Sequence, residues 1–265
     1  MDAMSDLLYG QESYHRFFSP KAYLNSYYNV DGDTLGNSRL LFKLKHLAKI
    51  FTSGKVKGET LIDIGTGPTI YQLLSACEAF SNIIVSDLTE ANLEEFNKWL
   101  LNKPGAFDWS PVVKYVCHLE GDRVPWEEKE EQLRRAIKQV LKCDVLLSNP
   151  TDPVVLPQVD CVLSCACLEA ACKEKEDYIA GLNNLSALLK PGGYLVLTGV
   201  LESRYYVVGE SKFLPFHLTK DFMMETLNRV GFVIESFEWS GEKKEPWEKT
   251  AKFLAYYVLV AQKKV

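Results

Sequence analysis

Two glycines and one aspartate are the residues here whose types and spacing suggest chemistry. Gly65 and Gly67 break an apolar run, Thr60-Leu61-Ile62-Asp63-Ile64, and Asp87 closes a second run that begins at Asn82. Glycine permits backbone angles that a Cβ forbids and lets a ligand approach the main chain. In α/β nucleotide sites a carboxylate roughly 20 residues beyond such a turn accepts hydrogen bonds from ribose hydroxyls. A dinucleotide fingerprint needs a third glycine where this chain has Ile70, so the pyrophosphate seat is incomplete. The turn Gly65-Thr66-Gly67 suits a cofactor with a ribose and no phosphate bridge, which points to S-adenosylmethionine. The other reading is an ordinary strand, turn and helix with an incidental acid.

No other reactive residues form such a set. Cys161, Cys165, Cys167 and Cys172 cluster, but at no zinc spacing, and the four histidines are scattered. No metal site is expected, and the cysteines read as reduced thiols packed as small hydrophobes. Tyr14, Tyr23, Tyr27 and Tyr28 precede the first core strand, with Tyr23 and Tyr27 one helical turn apart. They read as a lid over a site or as an arm that only covers core surface.

The chain has 265 residues, 47% hydrophobic and 25% charged, the balance of one soluble α/β domain. A net charge of −5 leaves no electrostatic footprint for nucleic acid and fits neutral or cationic small substrates. The first thirty residues hold no continuous apolar run and the chain no run of about 20 apolar residues, so neither a signal peptide nor a membrane span is expected. A cytoplasmic, monomeric protein is expected. A single domain spans residues 1–265, with a helical lid over 1–52 and a core over 53–265.

The elements that must position these residues follow from periodicity and capping. Asp31-Gly32-Asp33 and Gly36-Asn37 mark a loop, and Ser38 starts a helix to about Phe51. Pro68 opens a helix through Leu73, Leu74 and Cys77, and Thr89 caps another to Leu100. A further helix is expected from Glu127 to Leu141, followed by a strand from Lys142 to Leu147 with Asp144 near its start. Then come an extended loop with three prolines, a strand from Val159 to Cys165, a helix from Glu174 to Leu189, and a Pro-Gly-Gly turn into a strand from Tyr194 to Gly199. Tyr205–Gly209 and Lys212–Phe216 read as a hairpin, Lys220–Val230 as a helix, and Phe232–Trp239 and Phe253–Ala261 as strands. The alternation implies a mainly parallel sheet whose last two strands make an antiparallel edge.

Residues 61–80, Phe107-Asp108-Trp109-Ser110-Pro111, Lys138 to Val145, Asp160 to Ser164 and Leu188 to Gly193 closely resemble the small-molecule family of nicotinamide, phenylethanolamine and indolethylamine N-methyltransferases. The likeness runs from Tyr14 to Lys263. It implies a class I methyltransferase, Rossmann-like fold with a seven-stranded mostly parallel sheet, helices on both faces, an N-terminal lid and a β-hairpin insertion. Carried over by matching motif, Gly65, Thr66 and Gly67 would meet the methionine part of the cofactor, and Tyr71 would close around it. Asp87 would take the ribose hydroxyls with Asn92 nearby, and Asp144 and Val145 would hold the adenine. Tyr14, Tyr23 and Tyr28 would cover it, and Cys165 would line it where the nicotinamide enzyme has a threonine.

On the acceptor side the resemblance implies Tyr27, Ala166, Glu169, Gly199, Ser203 and Tyr206, with Glu202 a further polar candidate and no certain catalytic residue. The nicotinamide enzyme keeps an aspartate where this chain has Gly199, and a serine at Pro215. The tail after Trp239 also departs, with Glu242, Lys243 and Lys244. Loss of that aspartate implies a larger, less polar pocket, suited to indolethylamines or thioethers, and makes nicotinamide the weaker substrate. The expected activity is methyl transfer to the nitrogen of a small amine or N-heterocycle. The alternatives are thioether S-methylation and a catalytically silent cofactor-binding protein.

Overall fold

Apolar runs of five to seven residues between glycine-bearing turns pack here as the central strands of one sheet. The computed structural model describes residues 8–29, 38–241 and 250–265. The 31–37 loop and Glu242, Lys243 and Lys244 lie outside the described residues. The strands are β1 (Leu8–Tyr9), β2 (Thr60–Ile64), β3 (Asn82–Asp87), β4 (Ile137–Lys142), β5 (Val159–Cys165) and β6 (Leu189–Leu201). They continue with β7 (Tyr205–Val208), β8 (Ser211–Phe213), β9 (Phe232–Trp239), β10 (Ala251–Lys252) and β11 (Ala255–Lys263). The helices are α1 (Tyr14–Phe17), α2 (Pro20–Tyr27), α3 (Ser38–Thr52), α4 (Glu90–Leu100) and α5 (Ser110–Leu119). After them come α6 (Trp126–Ala136), α7 (Cys167–Ala171), α8 (Lys175–Leu188) and α9 (Lys220–Val230).

The main sheet has seven strands in the order β4-β3-β2-β5-β6-β11-β9. Only β11 runs against its neighbours, pairing antiparallel with both β6 and β9. A four-stranded sheet, β1-β8-β7-β10, joins the N-terminal segment to the hairpin. One face of the main sheet packs against α3, α5 and α6 and the other against α8 and α9, giving two cores. Leu24, Tyr27 and Tyr28 of the lid belong to the first core, so the lid is part of the fold and not a detachable cover.

Tertiary pairing overrides the sequence expectation in two places. No α-helix follows Pro68; residues 68–80 form turns and a short 3₁₀ helix at Ala76–Glu78. Side chains take the carbonyls that a helix would use there: Gln72 Nε2 donates to the Thr66 and Thr69 carbonyls at 3.3 and 3.0 Å, and Thr69 Oγ1 lies 2.9 Å from the Thr66 carbonyl. The second correction is at residues 127–147. The charged helix stops at Ala136, and Ile137–Lys142 pairs with β3 as the sheet edge. Residues 143–149 turn instead of forming the expected strand, with Asp144 N–H donating to the Pro150 carbonyl at 2.8 Å. Helices α5 and α7 were not foreseen, and the hairpin's second strand ends at Phe213.

Candidate active site

The C-terminal ends of β2 and β3 converge on the glycine turn. Gly65 and Thr66 donate backbone N–H bonds of 2.9 and 2.8 Å to the Ser86 carbonyl. Gly65 has φ +74°, and a Cβ there would stand 2.4 Å from Cys167 Sγ, so both conformation and space exclude other residues. Gly67, at φ +60°, donates its N–H to Asp87 Oδ2 at 2.8 Å. The other carboxylate oxygen accepts from Thr89 N at 2.9 Å and Asn92 Nδ2 at 2.8 Å. Asn92 thus stands behind Asp87 and does not line the cavity. Burial raises the Asp87 pKa, and these hydrogen bonds oppose the rise.

Beneath the turn lies a buried polar network, in which Asp63 Oδ1 has no partner among the described residues. Gln72 Nε2 donates to Asp63 Oδ2 at 2.8 Å and to Thr66 Oγ1 at 3.0 Å. Asp63 is fully buried, and burial pushes its pKa up to about 7.

The turn opens onto a cavity of about 490 Å³, within the usual range of small-molecule sites. Tyr14, Tyr23, Tyr27 and Tyr28 form its aromatic side, with Tyr28 stacked on Tyr71 at 5.3 Å. Tyr23 and Tyr28 hydroxyls meet at 3.3 Å, and Asn92 Nδ2 reaches the Tyr14 hydroxyl at 3.4 Å. Burial raises the pKa of each, to about 12 for Tyr27, so the hydroxyls stay neutral donors. Gly65, Thr66, Gly67, Asp87, Asp144, Val145 and Cys165 all line the same cavity. Asp144 is placed by its turn, accepting from Leu146 N at 3.0 Å, and not by a strand.

Ala166, Glu169, Ser203 and Tyr206 also line the cavity. Ala166 takes a left-handed φ of 57° at the entrance to α7, which turns Glu169 back toward β6. Glu169 is 3% exposed; its Oε1 accepts from Val200 N at 3.1 Å and lies 3.3 Å from the Tyr257 hydroxyl. Burial raises its pKa. Gly199 does not line the cavity, because Glu169 occupies the space its side chain would fill, so the position does not open a larger pocket. Tyr27 offers its ring, while its hydroxyl is pinned between the carbonyls of Val207 and Thr250 at 2.9 and 2.8 Å. Glu202, at φ 49°, lies off the cavity.

Sequence reasoning missed Arg39, Lys43, Cys143 and Cys167, which also line the cavity. For Lys43 a signal existed: it sits among Leu40, Leu44 and Leu47 on the buried stripe of α3. Among the described residues no group of three or more His, Cys, Asp or Glu is placed to hold a metal, and no helix is long and apolar enough to cross a membrane.

Residues 6–264 match the NNMT/PNMT/TEMT family. The chain is 52% identical over 229 residues to nicotinamide N-methyltransferase of Homo sapiens, covering 86% of this chain and 87% of that protein. It is 46% identical over 256 residues to indolethylamine N-methyltransferase of Oryctolagus cuniculus, covering 96% and 97%. Among solved structures, magnesium protoporphyrin IX methyltransferase from Synechocystis PCC 6803 with bound SAM superposes with a TM-score of 0.58 at 12% identity, over 96% of this chain and 95% of that one. At that identity the likeness shows the fold, a class I Rossmann-like one.

Proposed function

Because the chain belongs to the NNMT/PNMT/TEMT family of S-adenosylmethionine-dependent methyltransferases, we propose that it methylates the nitrogen of a small amine or N-heterocycle, of the nicotinamide or indolethylamine kind. One observation carries the reading. Asp87, 5% exposed, is locked to Gly67 and Asn92 yet still faces the cavity, as a ribose-binding carboxylate must. The residues fit the donor: Gly65 and Gly67, which carry no side chain, line the cavity, and its walls are aromatic where a sulfonium would pass.

When bound, S-adenosylmethionine supplies a methyl group on a positively charged sulfur that leaves as a neutral thioether. Asp87 would hold its ribose, Asp144 and Val145 its adenine, and Gly65, Tyr23, Tyr28 and Tyr71 its methionine part. The tyrosine lid excludes water, and Ala166, Ser203, Tyr206 and the Tyr27 ring align the acceptor nitrogen for in-line approach. A pyridine nitrogen needs no base. An alkylammonium must first lose a proton, and Glu169, whose raised pKa brings it nearer to neutral, can accept it at Oε2.

The test is incubation of purified protein and S-adenosylmethionine with nicotinamide, tryptamine, phenylethanolamine or dimethyl sulfide, with products read by mass spectrometry. An N-methylated product is expected. Methylation of dimethyl sulfide alone, or donor binding without any product, would sink the proposal.

A further inference from the structure

Helix α3 sends two cations into the cavity. Arg39 and Lys43 are one helical turn apart, on one face, and both line it. Arg39 sits nearer the lid, its guanidinium 4.7 Å over the Tyr27 ring and 5.7 Å from the Phe253 ring. Lys43 lies deeper and is 7% exposed. Its ammonium donates to the Tyr71 hydroxyl at 3.2 Å and makes no ion pair among the described residues.

A buried ammonium with one neutral partner is costly, since a desolvated charge is stable only when paired and hydrogen-bonded. Burial lowers the Lys43 pKa to about 8, with Arg39 pushing the same way and Glu169 and Cys165 opposing. A leucine would fill the same position on the stripe without that cost. The charge therefore has a use that the protein alone does not satisfy: Lys43 lines the cavity, and two further donors of its ammonium have no partner among the described residues.

We propose that Lys43, assisted by Arg39, binds a carboxylate or carbonyl oxygen of a small molecule in the cavity. Two sources carry that chemistry: the amino-acid carboxylate of the methyl donor, and a carboxamide or carboxylate on the acceptor. The inference rests on the methyl-transfer reading for the identity of those ligands, but its test does not depend on turnover.

Calorimetry on the full chain and on Lys43→Met separates the sources with two pairs of probes. S-adenosylhomocysteine carries the carboxylate and methylthioadenosine lacks it; nicotinamide carries the carbonyl and pyridine lacks it, both titrated into the S-adenosylhomocysteine complex. Lys43→Met should weaken the oxygen-bearing member of one pair by about tenfold or more, leave its partner unchanged, and be largely rescued by Lys43→Arg. A selective loss in the first pair assigns the donor carboxylate, and one in the second assigns the acceptor. Arg39→Met, which leaves the core stripe intact, should show a smaller loss in the same pair. If both members of each pair bind the variants as they bind the parent, or fall together, the proposal is overturned. Lys43-dependent binding in a protein that methylates nothing would instead remove only the methyl-transfer reading.

Discussion

Glu169 stands where a side chain on residue 199 would be: a Cβ on Gly199 would lie 1.7 Å from Glu169 Oε1 and 3.0 Å from the Tyr257 ring. The backbone of Gly199 is not left-handed, so the constraint is space and not strain. The Glu169 carboxylate fills the space beside position 199, held there by Val200 N.

That relationship reverses one expectation. From the missing anchor alone, an aspartate at 199 is expected to raise kcat/KM for nicotinamide about tenfold. Instead it would force Glu169 off Val200 N and set two carboxylates in contact. Gly199→Ala alone should lower kcat/KM for every acceptor by about tenfold or more. Adding Glu169→Asp, one methylene shorter, should recover part of the loss in a double-mutant cycle. Additive losses would show that the two positions are not coupled.

Asp87→Ala should weaken binding of S-adenosylhomocysteine by about 1.5–3 kcal/mol, the cost of losing charge-assisted hydrogen bonds. In the parent, affinity should fall as pH drops through the raised pKa of this carboxyl, because the protonated form accepts poorly. Unchanged affinity in folded Asp87→Ala would remove the residue from the ribose site.

Asp63 makes stability depend on pH in the opposite sense to an ion-paired acid. Its pKa rises from 3.8 to about 7 on folding, so its contribution is full below the unfolded value. That contribution is lost as pH rises through the window between the two. Urea unfolding of Asp63→Asn and the parent should therefore shift in favour of the variant between about pH 4 and about pH 7. A constant gap would mean that Asp63 titrates normally.

Lys129 is fully buried and bridges Glu78 at 2.7 Å and Glu120 at 2.6 Å, tying α6 to the segment before β3. Lys129→Met strands the buried Glu120 carboxylate, leaves Glu78 only the Arg123 guanidinium at 3.5 Å, and should cost about 3–5 kcal/mol in unfolding free energy. The site lies away from the cavity, so kcat at low temperature should hold. A loss below about 1 kcal/mol would show that water already screens the bridge.

The sequence by itself determined the glycine turn and its acid. Glycines 65 and 67, Asp87 and the Thr89 cap act within one strand–turn–strand unit, where the residue types dictate backbone angles and hydrogen-bond partners locally. The helices of α3, α4, α8 and α9 were legible for the same reason, since their buried stripes and caps are short-range signals. Tertiary structure alone decided the surroundings of Glu169 and Lys43 and the sheet edge. Ile137–Lys142 continues a helical pattern, and only pairing with Ile83–Asp87 makes it a strand. Glu169 fills the space beside Gly199 because β6 passes against α7, and Lys43 becomes a cavity cation because α3 packs beside Tyr71. These are contacts between residues about thirty apart in the chain, and no local propensity encodes them.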